Sequence, residues 1–149
     1  MRLPPPQKKR FPFVFSVFLT AILAFSCNDD ASPPIPYVPV NRTITLANPQ
    51  FSALNGVGGF VILPSEGYGG VIAVRATGDQ VFAFDMQCTR DANVPEGRTS
   101  TDASQLFLNC GKCGSRWQIL NGQLIQGPAA FPLLQYQTTF DGFVVNIFN

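Results

Sequence analysis

The 149-residue chain contains no histidine. Its absence removes the commonest metal-ligating side chain and the group that most often moves protons near neutral pH. Histidine-based catalytic triads and histidine-ligated zinc are excluded with it. Charge is also scarce: charged residues make up 13% of the chain, the formal net charge is +1, and no basic run follows residue 42. A nucleic-acid partner needs a basic patch or stripe, and none is present. No long stretch repeats its apolar residues at the helical period, which argues against a helix bundle. Glu66, Asp79 and Glu96 read as solvated loop charges, and no carboxylate pair suggests hydrolysis. No constellation of nucleophile, base and orienting group appears, so the chain does not read as an independent enzyme.

The N-terminus reads as a targeting segment. Residues 1–10, MRLPPPQKKR, are basic, and residues 11–26, FPFVFSVFLTAILAFS, are apolar and uncharged. A basic start, a short apolar run and small residues before a break make an export signal. The apolar run falls short of the roughly 20 residues a membrane span needs, and Pro12 cuts its start. The stretch LAFSC at 23–27 resembles a bacterial lipobox, with Ser26 before Cys27 and Leu23 one place from the usual leucine position, where Ala24 stands. The resemblance implies a signal peptide over 1–26 and lipidation of Cys27. An unmodified Cys27 would be a lone thiol in an oxidising compartment. Several acyl chains anchor a protein firmly where one binds only marginally. Residues 27–42 then form a lipidated cysteine and a proline-rich linker, a stiff extended tether. The expected location is the cell envelope, on a bacterial membrane, facing the periplasm or the surface.

The rest, residues 43–149, is rich in Gly, Val, Phe and Thr, a β-type composition. The segments TITL (43–46), FVIL (60–63), VIAVR (71–75), VFAFD (81–85), QLFLN (105–109), RWQIL (116–120), QLIQ (123–126), YQTTF (136–140) and FVVNIF (143–148) read as strands. Asn121-Gly122 and Asp141-Gly142 read as two-residue hairpin turns with positive φ angles. In VFAFD, Phe82 and Phe84 alternate with Val81 and Ala83, so one pair is expected to face the core. Strands joined by hairpins make an antiparallel all-β domain, a small sandwich or barrel. Two segments break the strand rhythm: 86–104, a long polar loop, and 110–115, CGKCGS. Each carries cysteine, and long loops on small β-domains usually carry function.

The order of these loops resembles the Rieske [2Fe–2S] domain family. That family has a C-x-H loop, then a C-x-x-H-G-S loop, then a hairpin, a G-P-A segment, a P-L pair and a closing hairpin. Here the corresponding stretches are FDMQCTR (84–90), LNCGKCGSRW (108–117), GPAAFPLLQY (127–136) and DGFVVNIFN (141–149). The resemblance runs from about residue 46 to the end. It implies a Rieske-like β-sandwich or barrel with two cysteine loops, iron–sulfur binding, electron transfer and a redox partner protein. It also implies that Trp117 packs behind the second loop and that the Gly127-Pro128 segment covers the loops.

The ligand set departs from the family. Cys88 and Cys110 hold the two cysteine positions, but Arg90 and Cys113 stand where the histidines belong. A Rieske centre places two cysteines on one iron and two histidines on the other, and arginine is not a ligand. Four readings of the altered set stay open. A [2Fe–2S] cluster persists on Cys88, Cys110, Cys113 and Asp91, the carboxylate nearest in sequence, with a potential lowered toward about −400 mV. The cluster is lost and a structural disulfide ties the loops. The family arrangement makes Cys88–Cys110 the natural pair and Cys88–Cys113 the alternative. Cys110 and Cys113 form a redox C-x-x-C activated by Lys112 and Arg116. Zinc binds three cysteines and a fourth ligand that the sequence does not identify.

Overall fold

The computed structural model describes residues 1–2 and 33–149. Residues 3–26 of the expected signal segment, the lipidation candidate Cys27 and the start of the expected tether lie outside the described residues. The chain divides into two units, 1–31 and 32–149, and the second holds all the strands of the described residues. No helix among them is long and apolar enough to cross a membrane.

Among the described residues, ten strands form two antiparallel sheets. The larger has the order β1 (Asn41–Thr45), β10 (Val144–Phe148), β9 (Gln135–Phe140), β4 (Val81–Asp85), β3 (Val71–Arg75) and β2 (Phe60–Leu63). The smaller has the order β5 (Thr99–Thr101), β6 (Phe107–Cys110), β7 (Arg116–Gln118) and β8 (Leu124–Gln126). β2, β3 and β4 keep the boundaries read from sequence. This is an all-β antiparallel architecture, as expected.

Strands β3 and β4 explain how the core is built. Val71, Ala73, Val81 and Ala83 face one apolar cluster with Ile44, Leu54, Val145 and Ile147. Ile72, Val74 and Phe84 face a second, shared with Leu108 and Trp117 of the smaller sheet and with Ile119 just after β7. Phe82 packs against this second cluster. Both faces of β4 are therefore covered, not one as its alternation suggested. A strand with two dry faces reads as a continuous apolar run. Each fully buried Val, Ile or Phe side chain contributes about 1.5–3 kcal/mol of transfer free energy. The second cluster ends at Cys88 and Cys110, which belong to it.

Three local expectations are corrected. The loop 86–104 contains a strand, β5, and a 3-10 turn at Pro95–Gly97. Short polar strands such as Thr-Ser-Thr carry no alternation to reveal them. Asn121 does not adopt positive φ; Gly122 does, at 67°, within a five-residue connection between β7 and β8. A side chain at 122 would meet the Phe84 ring at 2.6 Å, so close packing as well as the turn requires glycine. Asp141 likewise lacks positive φ, and Gly142 carries it at 98°. The Asp141 carboxylate instead accepts from the N–H groups of Phe143 (2.9 Å) and Val144 (2.7 Å). Those two bonds hold its pKa below the ordinary carboxylate value. The linker also ends earlier than residue 42. Asn149 Nδ2 donates to the Val38 carbonyl (2.9 Å), Val40 N–H donates to Asn149 Oδ1 (2.9 Å), and Val40 is buried.

Candidate metal centre

The two cysteine loops leave strands of different sheets. Cys88 follows β4 by three residues, and Cys110 is the last residue of β6. Strand β5 joins them. Thr99 pairs with Cys110 in the β5–β6 ladder. On its other side, the Thr99 N–H and hydroxyl both donate to the Met86 carbonyl at 2.7 Å. Cys88 N–H donates to the Gly97 carbonyl at 2.9 Å. The first loop is thus folded back against the strand that ends in the second cysteine.

Buried polar residues fix the loop entrances. Asp85, fully buried, accepts from Tyr68 N–H and Tyr136 O–H at Oδ2 (2.8 and 2.7 Å). Its Oδ1 accepts from Gly69 N–H and Gln87 N–H (2.9 and 2.8 Å). Burial, then the bond and negative charge of Asp85, push the Tyr136 phenol well above its ordinary pKa. Gln87 Nε2 donates to the carbonyls of Asp91 (2.7 Å) and Val94 (2.8 Å). The chain from 88 to 94 therefore curls around one amide. Sequence reading missed Asp85 and Gln87, because both lie inside FDMQCTR but at positions where the loop pattern specifies no residue.

The curl brings four donors together. Cys88, Asp91, Cys110 and Cys113 place one sulfur or oxygen each within 4.8 Å of one another. Cys88 Sγ lies 3.4 Å from Cys113 Sγ and 3.7 Å from Asp91 Oδ2; Cys110 Sγ lies 3.9 Å from the same oxygen. All four ligand candidates read from the sequence meet. Arg90 is exposed, as a side chain that is no ligand can be.

The three cysteines are free thiols. The expected Cys88–Cys110 disulfide is not formed, and the sulfur contact is Cys88–Cys113, far longer than the roughly 2.05 Å of a bond. Burial pushes the Cys88 thiol up to about 12. Burial also opposes ionisation of Cys113, but its hydrogen bonds with the Ser115 side chain and backbone, and with the Cys88 and Cys110 side chains, bring it below the ordinary value. Arg116 plays no such part: it donates to Asn109 Oδ1 (3.1 Å), pairs with Asp102 (3.4 Å) and lies over the Phe107 ring. Lys112 is exposed. The side chain bonded to Cys113 on its own loop is Ser115.

The segment 127–133 closes over both loops. Thr89 of the first loop and Trp117 Nε1 behind the second both donate to the Phe131 carbonyl at 3.0 Å. Ala129 N–H donates to Ser115 Oγ at 3.0 Å, and that oxygen lies 3.1 Å from Cys113 Sγ. Gly127 has φ 122°, and a Cβ there would fall 2.3 Å from Ser115 Cα. The covering role expected of Gly127-Pro128 and the core position expected of Trp117 are both present.

Three cysteine sulfurs, which ligate metal as thiolates, and one carboxylate suit iron or zinc. Their number is also that of a [2Fe–2S] cluster. Their spacing is not. Ligands on two irons bridged by sulfide stand further apart than ligands on one ion, and here every pair lies within 4.8 Å.

No family model matches the chain, and no curated protein matches it. Among solved structures it is similar to the ferredoxin of carbazole 1,9a-dioxygenase from Nocardioides aromaticivorans, at 22% identity and TM-score 0.45, over 74% of this chain and 97% of that one. It is also similar to a cyanobacterial plasma membrane Rieske protein from Synechocystis, at 19% identity and TM-score 0.49, over 76% and 100%. A Sphingomonas yanoikuyae ferredoxin is similar at 21% identity and TM-score 0.41, over 63% and 88%.

Proposed function

We propose that the chain is an envelope lipoprotein, anchored through lipid on Cys27, whose Rieske-like domain is an iron–sulfur electron-transfer module. Cys88, Asp91, Cys110 and Cys113 hold iron, and the domain exchanges electrons with a redox partner protein. One observation carries this reading: three unlinked cysteines and a carboxylate converge to within 4.8 Å beneath a covering segment. Iron held there supplies one-electron chemistry. The chain's own residues orient the ligands: Gln87 sets the path of the Asp91 loop, Ser115 supports Cys113, and Thr89 and Trp117 tie both loops to the 127–133 cover. Cys113 is the more accessible sulfur, while Cys88 and Cys110 are buried, which makes the Cys113 side the edge for electron exchange.

The test is iron content, visible absorption and redox titration of the full chain, purified anaerobically in detergent. Bound iron with a reversible redox wave, abolished by Cys110→Ser, supports the reading. A second reading is favoured by the Cys88–Cys113 contact of 3.4 Å: a cluster-free binding or structural module whose loops are tied by a disulfide. Iron-free protein with that pair oxidised would establish it and overturn the first.

A further inference from the structure

The four donors are spaced for one metal ion. At a metal–sulfur distance of about 2.3 Å and a metal–oxygen distance of about 2.0 Å, a tetrahedral ion sets ligand atoms about 3.8 Å apart for two sulfurs and about 3.5 Å for sulfur and oxygen. The observed separations are 3.4 Å for the sulfur pair and 3.7 and 3.9 Å for the two sulfur–oxygen pairs. Every remaining pair lies below 4.8 Å. We infer that Cys88, Asp91, Cys110 and Cys113 close around a single tetrahedral iron or zinc ion, in place of the two-iron cluster that the sequence resemblance implies.

Asp91 is built into the site. Its backbone carbonyl is held by Gln87 Nε2 at 2.7 Å, and Gly97 packs so closely that a Cβ there would lie 2.4 Å from that carbonyl. The carboxylate oxygen then sits against two of the three sulfurs. The replacement of the family's second histidine by Cys113 places a third sulfur beside Cys88, where it completes the coordination of one ion.

This inference rests on the reading that the four residues hold metal, and the experiment separates the two. Metal and acid-labile sulfide are measured on the full chain as isolated. The metal is then removed, and cobalt(II) is titrated in anaerobically. The expected result is one metal per chain, no labile sulfide, and one equivalent of cobalt giving the intense visible bands of a tetrahedral thiolate site. Asp91→Cys is expected to keep that stoichiometry and add sulfur-to-cobalt charge transfer, whereas Asp91→Ala weakens cobalt binding at least tenfold. One iron supports both the inference and electron transfer. One zinc supports the single-ion site and overturns electron transfer. About two irons and two sulfides per chain overturn the single ion and leave the iron–sulfur reading standing. Protein that carries no metal and takes up no cobalt overturns both.

Discussion

At the scale of single residues, the site depends on groups that contribute no ligand. Asp85 has all four of its accepted bonds satisfied in a dry environment, one of them from Tyr136. Tyr136→Phe removes one donor and leaves the buried carboxylate short by one, so unfolding free energy should fall by about 1–3 kcal/mol in urea titration. The wild-type phenol resists ionisation in the folded state more than in the unfolded chain. Its contribution is therefore intact below the unfolded tyrosine pKa and declines as pH rises past about 10. Tyr136→Phe should flatten that alkaline decline, measured as the denaturation midpoint between neutral and alkaline pH. Gly127 poses a steric constraint instead. A methyl at 2.3 Å from Ser115 Cα cannot be relieved by a side-chain rotation. Gly127→Ala should cost about 1–3 kcal/mol and weaken metal binding. An unchanged denaturation midpoint would show that the 127–133 segment does not press on the second loop.

At the scale of elements, the centre is held by loops that leave strands of two sheets. Strands β3 and β4 pack on both faces, while the cysteine loops hang from backbone bonds around Gln87, Thr99 and Phe131. Metal removal should therefore raise amide exchange at Cys88, Gly114 and Ala129, with little change in β3 and β4. Equal loosening of β3 would mean that the metal supports the whole fold. Most of the strands were legible, because alternation and aromatic or β-branched content betray them. The short strand β5 was not, since Thr-Ser-Thr carries no apolar period. Yet β5 is the element that folds the first loop onto Cys110. The four candidate donors were legible, but Asp85, Gln87 and the element that brings the loops together were not.

At the scale of the whole molecule, the folded domain extends further toward the N-terminus than its strand pattern suggests. β1 pairs with β10 from Asn41 to Phe148, and Asn149 clips Val38 and Val40. Deletion through residue 37 should leave the thermal midpoint of the domain nearly unchanged. Deletion through residue 45 removes the whole edge strand with the buried Val40 and Ile44, and should lower the midpoint by more than 10 °C, on the order of several kcal/mol at 4–8 °C per kcal/mol. If the two truncations melt alike, the β1–β10 edge is dispensable. The proposed lipid anchor is tested on the intact chain: Cys27→Ala is expected to abolish labelling by radioactive palmitate and to move the protein from the membrane to the soluble fraction.

The sequence by itself determined the β class, most strand positions, the absence of histidine and a set of four candidate donors. These follow from side-chain type and short-range period, which a linear chain carries openly. Only the tertiary structure decided that the donors meet, which sulfurs touch, and that their spacing suits one ion. Those distances depend on β5, on the buried bonds of Asp85 and Gln87, and on the 127–133 cover. Each joins residues that are separated along the chain, so no local pattern of residues records the result.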